Sequence, residues 1–119
     1  MEPTAKGILQ RLKKDEKDIY AVAERYYNIL SAINDLHLTK REIQLMAFAA
    51  VKGNISYANI REEFCERYGS SGATINNLIS KLKRTGLLVK NGTKAKVNPL
   101  ILLDFAKPLT LEIKLTHGG

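Results

Sequence analysis

The chain has 119 residues, with 19 Lys and Arg against 12 Asp and Glu and a net charge of +7; that length suits one domain, large enough to bury a core without disulfides or metal. A hydrophobic content of 45% is that of a folding chain rather than a disordered one, and no run of about 18 apolar residues offers a membrane span. Cys65 is the single cysteine, which excludes a disulfide framework or a cysteine-rich zinc site and fits a reducing, cytoplasmic setting, and residues 1–18, MEPTAKGILQRLKKDEKD, lack the apolar stretch of a secretory signal.

The first predicted element is a long helix over residues 16–36. Ile19, Val22, Ala23, Tyr26, Ile29, Leu30, Ile33 and Leu36 recur at helical spacing in a wide stripe that takes in Tyr27 as well. The charged lead-in at 11–18 extends this helix backwards. TKRE at 39–42 fits a capping box, with Thr39 as N-cap and Glu42 reaching back. Ile43, Met46, Ala47 and Ala50 then mark a second helix that stops near Gly53. Ser56 is placed to cap a third helix, whose buried face is Tyr57, Ile60, Phe64 and Tyr68 and whose stop is Gly69; Cys65 lies beside that face as a small buried or half-buried residue.

The fourth helix covers 71–85. Ser71 is its predicted N-cap and Gly86 its stop, and Ile75, Leu78, Ile79 and Leu82 form one inward face. After it the period changes. LLVKNGTKAKV at 87–97 is two short extended runs around Asn91-Gly92, a two-residue hairpin signal that predicts Lys90 opposite Thr93 and Leu88 opposite Ala95. Leu88 and Ala95 then face the core, and Lys94 and Lys96 the other side. Asn98-Pro99 ends the second strand. PLILLDFAKP at 99–108 is apolar but untyped, and the strict alternation of LTLEIKL at 109–115 predicts a half-buried strand.

The expected fold class is therefore mostly α with a small β-hairpin. It divides into an N-terminal helical segment at 1–37, a core at 38–98 and a C-terminal apolar segment with a strand at 99–119. Three helices followed by a hairpin is the order of a winged helix-turn-helix, in which the third of the three helices enters the DNA major groove and the hairpin lies along the flanking backbone. The outward positions of helix 71–85 are Ala73, Thr74, Asn76, Asn77, Ser80, Lys81, Lys83 and Arg84, and no acid occurs from Ser70 to Leu103. Ser71 and Ala73 leave room at the helix N-terminus for a phosphate. Asn76 and Asn77 can pair with base edges, adenine being the usual partner. Thr74 and Ser80 can reach phosphate or base, while Lys81 and Arg84, with Lys90, Lys94 and Lys96 on the wing, supply counter-charge.

At these residues the chain resembles a family. LTKREIQLMAFAA at 38–50, ISYANIREEF at 55–64 and SGATINNLISKLKRTGLLVK at 71–90 look like the winged-helix core of the multiple-antibiotic-resistance repressor (MarR) type, most closely from Thr74 to Leu88. The resemblance implies a transcriptional regulator that binds double-stranded DNA as a dimer, often released by a small phenolic ligand. Two features differ: the wing KNGTKAKVNP lacks that family's Asp-x-Arg pair, and the C-terminus reads as a strand rather than as long dimer-closing helices. Asn98-Pro99-Leu100 after the wing more weakly resembles plasmid replication-initiator winged helices.

A homo-oligomer is expected through the N-terminal helix or the C-terminal strand. The alternative function is a winged-helix protein-interaction or assembly module, such as a phage particle component located in a virion. Its support is the edge that LTLEIKL could add to a neighbouring sheet; pairing of that strand with the chain's own wing is the competing outcome. RNA binding would need an aromatic stacking platform, which the sequence does not display. No enzyme, cofactor or metal is expected. His37 and His117 are the only histidines, no nucleophile–base set, phosphate loop or metal-ligand spacing accompanies them, and His37 reads as a helix C-terminal residue near Asp35.

Overall fold

The computed structural model describes residues 18–102. The lead-in at 11–17 and the predicted strand at 109–115 lie outside those residues. In chain order the elements are α1 (Ile19–Ile33), α2 (Lys40–Lys52), α3 (Ala58–Tyr68), α4 (Gly72–Arg84), β1 (Leu88–Asn91), β2 (Lys94–Val97) and a 3-10 turn (Pro99–Ile101). The fold is mostly α with one small antiparallel hairpin, an arrangement compatible with a winged helix.

α2 is the centre. Thr39 and Glu42 close the predicted capping box: Thr39 Oγ1 accepts from Glu42 N–H at 3.2 Å and Glu42 Oε1 from Thr39 N–H at 2.9 Å. Leu45, Met46, Ala47, Phe48, Ala49 and Ala50 are all buried, so this helix is covered on nearly every side rather than along one stripe. The Phe48 ring meets Tyr20 of α1 and Phe64 and Tyr68 of α3 at centroid distances of 5.8, 5.5 and 6.3 Å. Such aromatic packing joins three helices at one point.

α1 is shorter than the expected 16–36. Asp18 caps it by accepting from Tyr20 N–H at 2.9 Å, and it stops at Ile33 because the chain turns through Asp35 and His37, both at φ 55°. Its buried line is Ala23, Tyr27 and Ser31. Ile19, Ile29, Ile33 and Leu36, expected within the packed stripe, are exposed instead. The Tyr27 hydroxyl donates to Ile101 O at 2.9 Å and so ties α1 to the end of the described chain. Burial holds its pKa far above the ordinary tyrosine value, which keeps the proton in place as the donor.

Two local expectations change between Gly53 and α3. Ser56 does not cap α3; Tyr57 stands at the N-cap without a side-chain bond. Ser56 Oγ instead accepts from Ala95 N–H, and Ile55 N–H donates to Ala95 O at 3.0 Å. The segment before α3 is thereby stitched to the hairpin. Tyr57, expected on the buried face, is 49% exposed. Cys65 is half-buried, as its spacing suggested.

α4 ends in a Schellman arrangement: Leu87 N–H reaches Leu82 O at 3.0 Å and Gly86 N–H reaches Lys83 O at 3.1 Å, with Gly86 at φ 80°. That stop also corrects the hairpin register. Leu88 pairs with Val97, Lys90 with Ala95 and Asn91 with Lys94, so the loop is Gly92-Thr93 rather than Asn91-Gly92. Only Gly92 has positive φ, at 64°, the requirement of a turn with glycine in its first central position. The expected register would have set Val97 opposite Gly86, a residue already spent on ending α4. The observed one sets Val97 against Leu88, and both are buried. Because the slip is two residues, every side chain keeps its expected face.

Asn98 then fastens the hairpin's end to the end of α4. Its N–H donates to Leu87 O at 2.9 Å, its Nδ2 to Gly86 O at 3.0 Å, and its Oδ1 accepts from Leu100 N–H at 3.0 Å.

Candidate nucleic-acid interface

α4 has a sharply divided surface. Ile75, Ile79 and Leu82 are buried and Leu78 is half-buried. Opposite them Ala73, Asn77, Ser80 and Arg84 repeat at i, i+4, i+7 and i+11 and are all exposed. At the pitch of an α-helix these four fall within an arc of roughly 60°. They are the outermost line of the helix. The other outward residues sit on its two shoulders, where neighbours engage them differently.

On the α2 shoulder, Lys81 Nζ lies 2.9 Å from Oε2 of Glu42, a carboxylate that is 1% exposed. Burial alone would push the Glu42 carboxyl up; hydrogen bonds from the Thr39 backbone N–H, Lys81 and the Thr39 hydroxyl outweigh it and hold the group below the usual carboxylate range. Lys81 is therefore the counter-ion of a buried charge and fixes α4 to the capping box of α2. Thr74 lies on the same shoulder. Its hydroxyl accepts from Ser71 Oγ–H at 2.9 Å while Ser71 Oγ accepts from Thr74 N–H at 3.2 Å, so the two hydroxyls are held as a cap.

On the α3 shoulder, Asn76 Oδ1 accepts from Arg61 Nη1 at 2.7 Å, and Arg61 Nε donates to Ile55 O at 2.9 Å. Glu62 and Glu66 of α3 line the same groove as Gly72 and Asn76, which puts negative charge beside the start of α4. Lys83, Arg84 and Lys90 are exposed, and no carboxylate pairs with any of them among the described residues. Lys94 and Lys96 are half-buried. Lys94 Nζ stands 5.4 Å from the Tyr57 ring centroid, and Lys96 borders a groove with Ala49, Ala50, Val89 and Leu102.

The eleven residues singled out from the sequence thus lie on α4, its N-cap and the hairpin, in unequal states, with Lys90 on the hairpin face of Leu88 and Ala95 and Lys94 and Lys96 on the other. Asn77, Ser80, Arg84 and Lys90 stand open; Ser71, Thr74, Asn76, Lys81 and Lys94 each have a partner within the chain. Sequence reasoning missed Arg61 and Tyr57, which reach this surface from α3 and its start. The one signal for Arg61 is that it is the cation nearest the start of a helix that carries three acids, ANIREEFCERY. His37 pairs with Asp35 at 3.1 Å, both highly exposed, remote in sequence from this surface. Among the described residues no group of three or more His, Cys, Asp or Glu is placed to hold a metal ion, and no helix is long and apolar enough to cross a membrane. Comparison with protein-family models, with curated proteins and with solved structures gives no significant match to this chain.

Proposed function

We propose that the chain is a winged-helix protein that binds double-stranded DNA, acting as a transcriptional regulator without catalytic activity or cofactor. α4 enters the major groove along Ala73, Asn77, Ser80 and Arg84, and the hairpin lies on the flanking phosphates. The observation that carries this is the unneutralised charge: Lys83, Arg84 and Lys90 are exposed without carboxylate partners among the described residues, and they fall within a stretch, Ser70 to Leu103, that holds no acid. A helix that displays amide, hydroxyl and guanidinium in a single line, flanked by free cations, combines base readout with phosphate attraction. The resemblance of Thr74–Leu88 to the MarR type supports a regulator. The small Ala73 and Gly72 let the backbone come close to the duplex.

The measurement is fluorescence anisotropy with labelled duplex across a salt series. Three to five phosphate contacts, from Lys83, Arg84 and Lys90 with or without Lys94 and Lys96, give a slope of log K against log salt between about −2.7 and −4.5. Absence of binding at low salt, or a flat slope, sinks the proposal.

A second reading, assembly with another copy or with a partner protein, is favoured by a different observation. Ile33, Leu100 and Leu102 are 51%, 90% and 51% exposed, and Val22, Tyr26, Ile29 and Ile33 form an apolar line on the shoulder of α1. A dimer closed through α1 is compatible with DNA binding, since winged helices commonly read paired half-sites. An assembly role without DNA predicts self-association with no salt-dependent affinity for duplex.

A further inference from the structure

Asn76 and Asn77 are neighbours in sequence with the same side chain, yet the fold treats them differently. Asn77 projects from the outermost line of α4 with no partner among the described residues. The Asn76 carbonyl oxygen is turned towards α3 and takes a 2.7 Å hydrogen bond from Arg61 Nη1. Arg61 is itself anchored, because its Nε donates to Ile55 O at 2.9 Å, and Ile55 N–H is bound to Ala95 O in the hairpin. The guanidinium is a donor-only group, so the amide orientation is set by chemistry: only Oδ1 can face it, and Nδ2 must face away.

The bidentate pairing of asparagine with adenine needs both ends of the amide on one edge. Nδ2 donates to adenine N7 while Oδ1 accepts from the N6 amino group. We propose that Arg61 is a positioning residue that takes one lone pair of Asn76 Oδ1 and turns that oxygen towards α3, leaving Nδ2 as the outward end of the amide, so that Asn76 contacts an acceptor on DNA while adenine recognition falls to Asn77. The acceptor is guanine N7 or O6, or a phosphate oxygen, each of which takes a bond from Nδ2. Through Ile55 and Ala95 the same chain of bonds connects the amide's orientation to the wing. This inference rests on the DNA-binding proposal above.

The test is selection of bound sequences from a random duplex pool with the wild-type chain and with Asn76→Ala, Asn77→Ala and Arg61→Met, each checked for its thermal melt. The Asn77→Ala chain loses an adenine preference of roughly 5- to 150-fold at one position. The Asn76→Ala chain keeps that adenine. It loses a guanine preference at a different position if the acceptor is a base, or binds all sequences more weakly by a common factor if the acceptor is phosphate. Arg61→Met keeps the aliphatic stem and removes every donor, and it gains an adenine preference at the position facing Asn76. Loss of an adenine preference in Asn76→Ala overturns the inference while leaving DNA binding intact. Should Arg61→Met fail to fold, the two asparagine variants still decide. Absence of any enriched sequence and of any salt-dependent affinity in the wild-type chain overturns DNA binding itself, and this inference with it.

Discussion

α3 and α4 are adjacent helices of 11 and 13 residues, both rich in charge, and they use it in opposite ways. On α3 the cations are consumed inside the molecule. Arg61 binds Ile55 O and Asn76, while Arg67 lies 4.0 Å from the Tyr20 ring centroid and 3.8 Å from an Asp18 carboxylate oxygen. Its acid Glu63 takes Lys52 of α2 at 2.8 Å. On α4 only Lys81 is spent in this way, and Lys83 and Arg84 remain open. The lesson is that a net charge of +7 is a poor guide to a binding surface until the cations already neutralised are subtracted. An exposed cation without a partner is free to neutralise a phosphate, and release of the cations condensed on the polyanion is what drives that binding.

The strongest way to break this contrast is to remove the open cations together. Lys83→Gln, Arg84→Gln and Lys90→Gln in one chain should cut duplex affinity about 100-fold near 0.1 M salt and flatten the salt slope by about 3. The control is Arg67→Gln on α3. It should leave the slope unchanged and cost about 0.5–1 kcal/mol of stability through the lost aromatic contact. Equal effects of the two on binding would erase the distinction between the helices.

Lys81 sharpens the comparison within α4 itself. Lys81→Met leaves the Glu42 carboxylate buried without its counter-ion, and the expected loss is about 1–3 kcal/mol in denaturant unfolding. Its salt slope should change far less than that of Lys83→Gln. The same pair sets a pH dependence. Glu42 binds its proton less readily in the folded chain than the ordinary carboxylate value of 4.5, so its contribution is fully present above that pH and is lost as the pH falls through the lowered native value. Glu42→Gln should remove that part of the acid-limb slope, measured as unfolding free energy between about pH 5 and 2.

How far the sequence carries these assignments follows from the reach of each interaction. Helix ends were legible because their signals are local. Thr39 and Glu42 are one turn apart, Ser71 caps the turn that it begins, and Gly53, Gly69 and Gly86 all take the left-handed conformation expected of a stop. The faces of the hairpin were legible for the same reason, since alternation survives a two-residue slip. The register was not. It depends on Gly86 being committed to the end of α4 and on Val97 needing an apolar partner, and neither is visible within the strands. The outward residues of α4 were found, but not their ranking, because Glu42 and Arg61 approach from separate helices. Ser56 read as a helix cap because serine before a helix usually is one; the nearby backbone N–H of Ala95 competed for the same hydroxyl and took it.

The smallest expected effect tests the groove between α3 and α4. Glu62 and Glu66 line it together with Gly72 at the start of α4, where free backbone N–H groups would otherwise favour a phosphate. Two carboxylates there oppose that attraction, and because the groove is open to solvent their repulsion is attenuated by salt. Glu62→Gln with Glu66→Gln should raise duplex affinity several-fold at low salt, with the gain shrinking as salt is added. It should do so without altering which sequence is selected, because neither side chain belongs to the outermost line of α4. A gain that persists undiminished at high salt would mean that the acids act through the position of Arg61 and Asn76 rather than through their charge. The contrast between the two helices would then be one of geometry, with charge following from it.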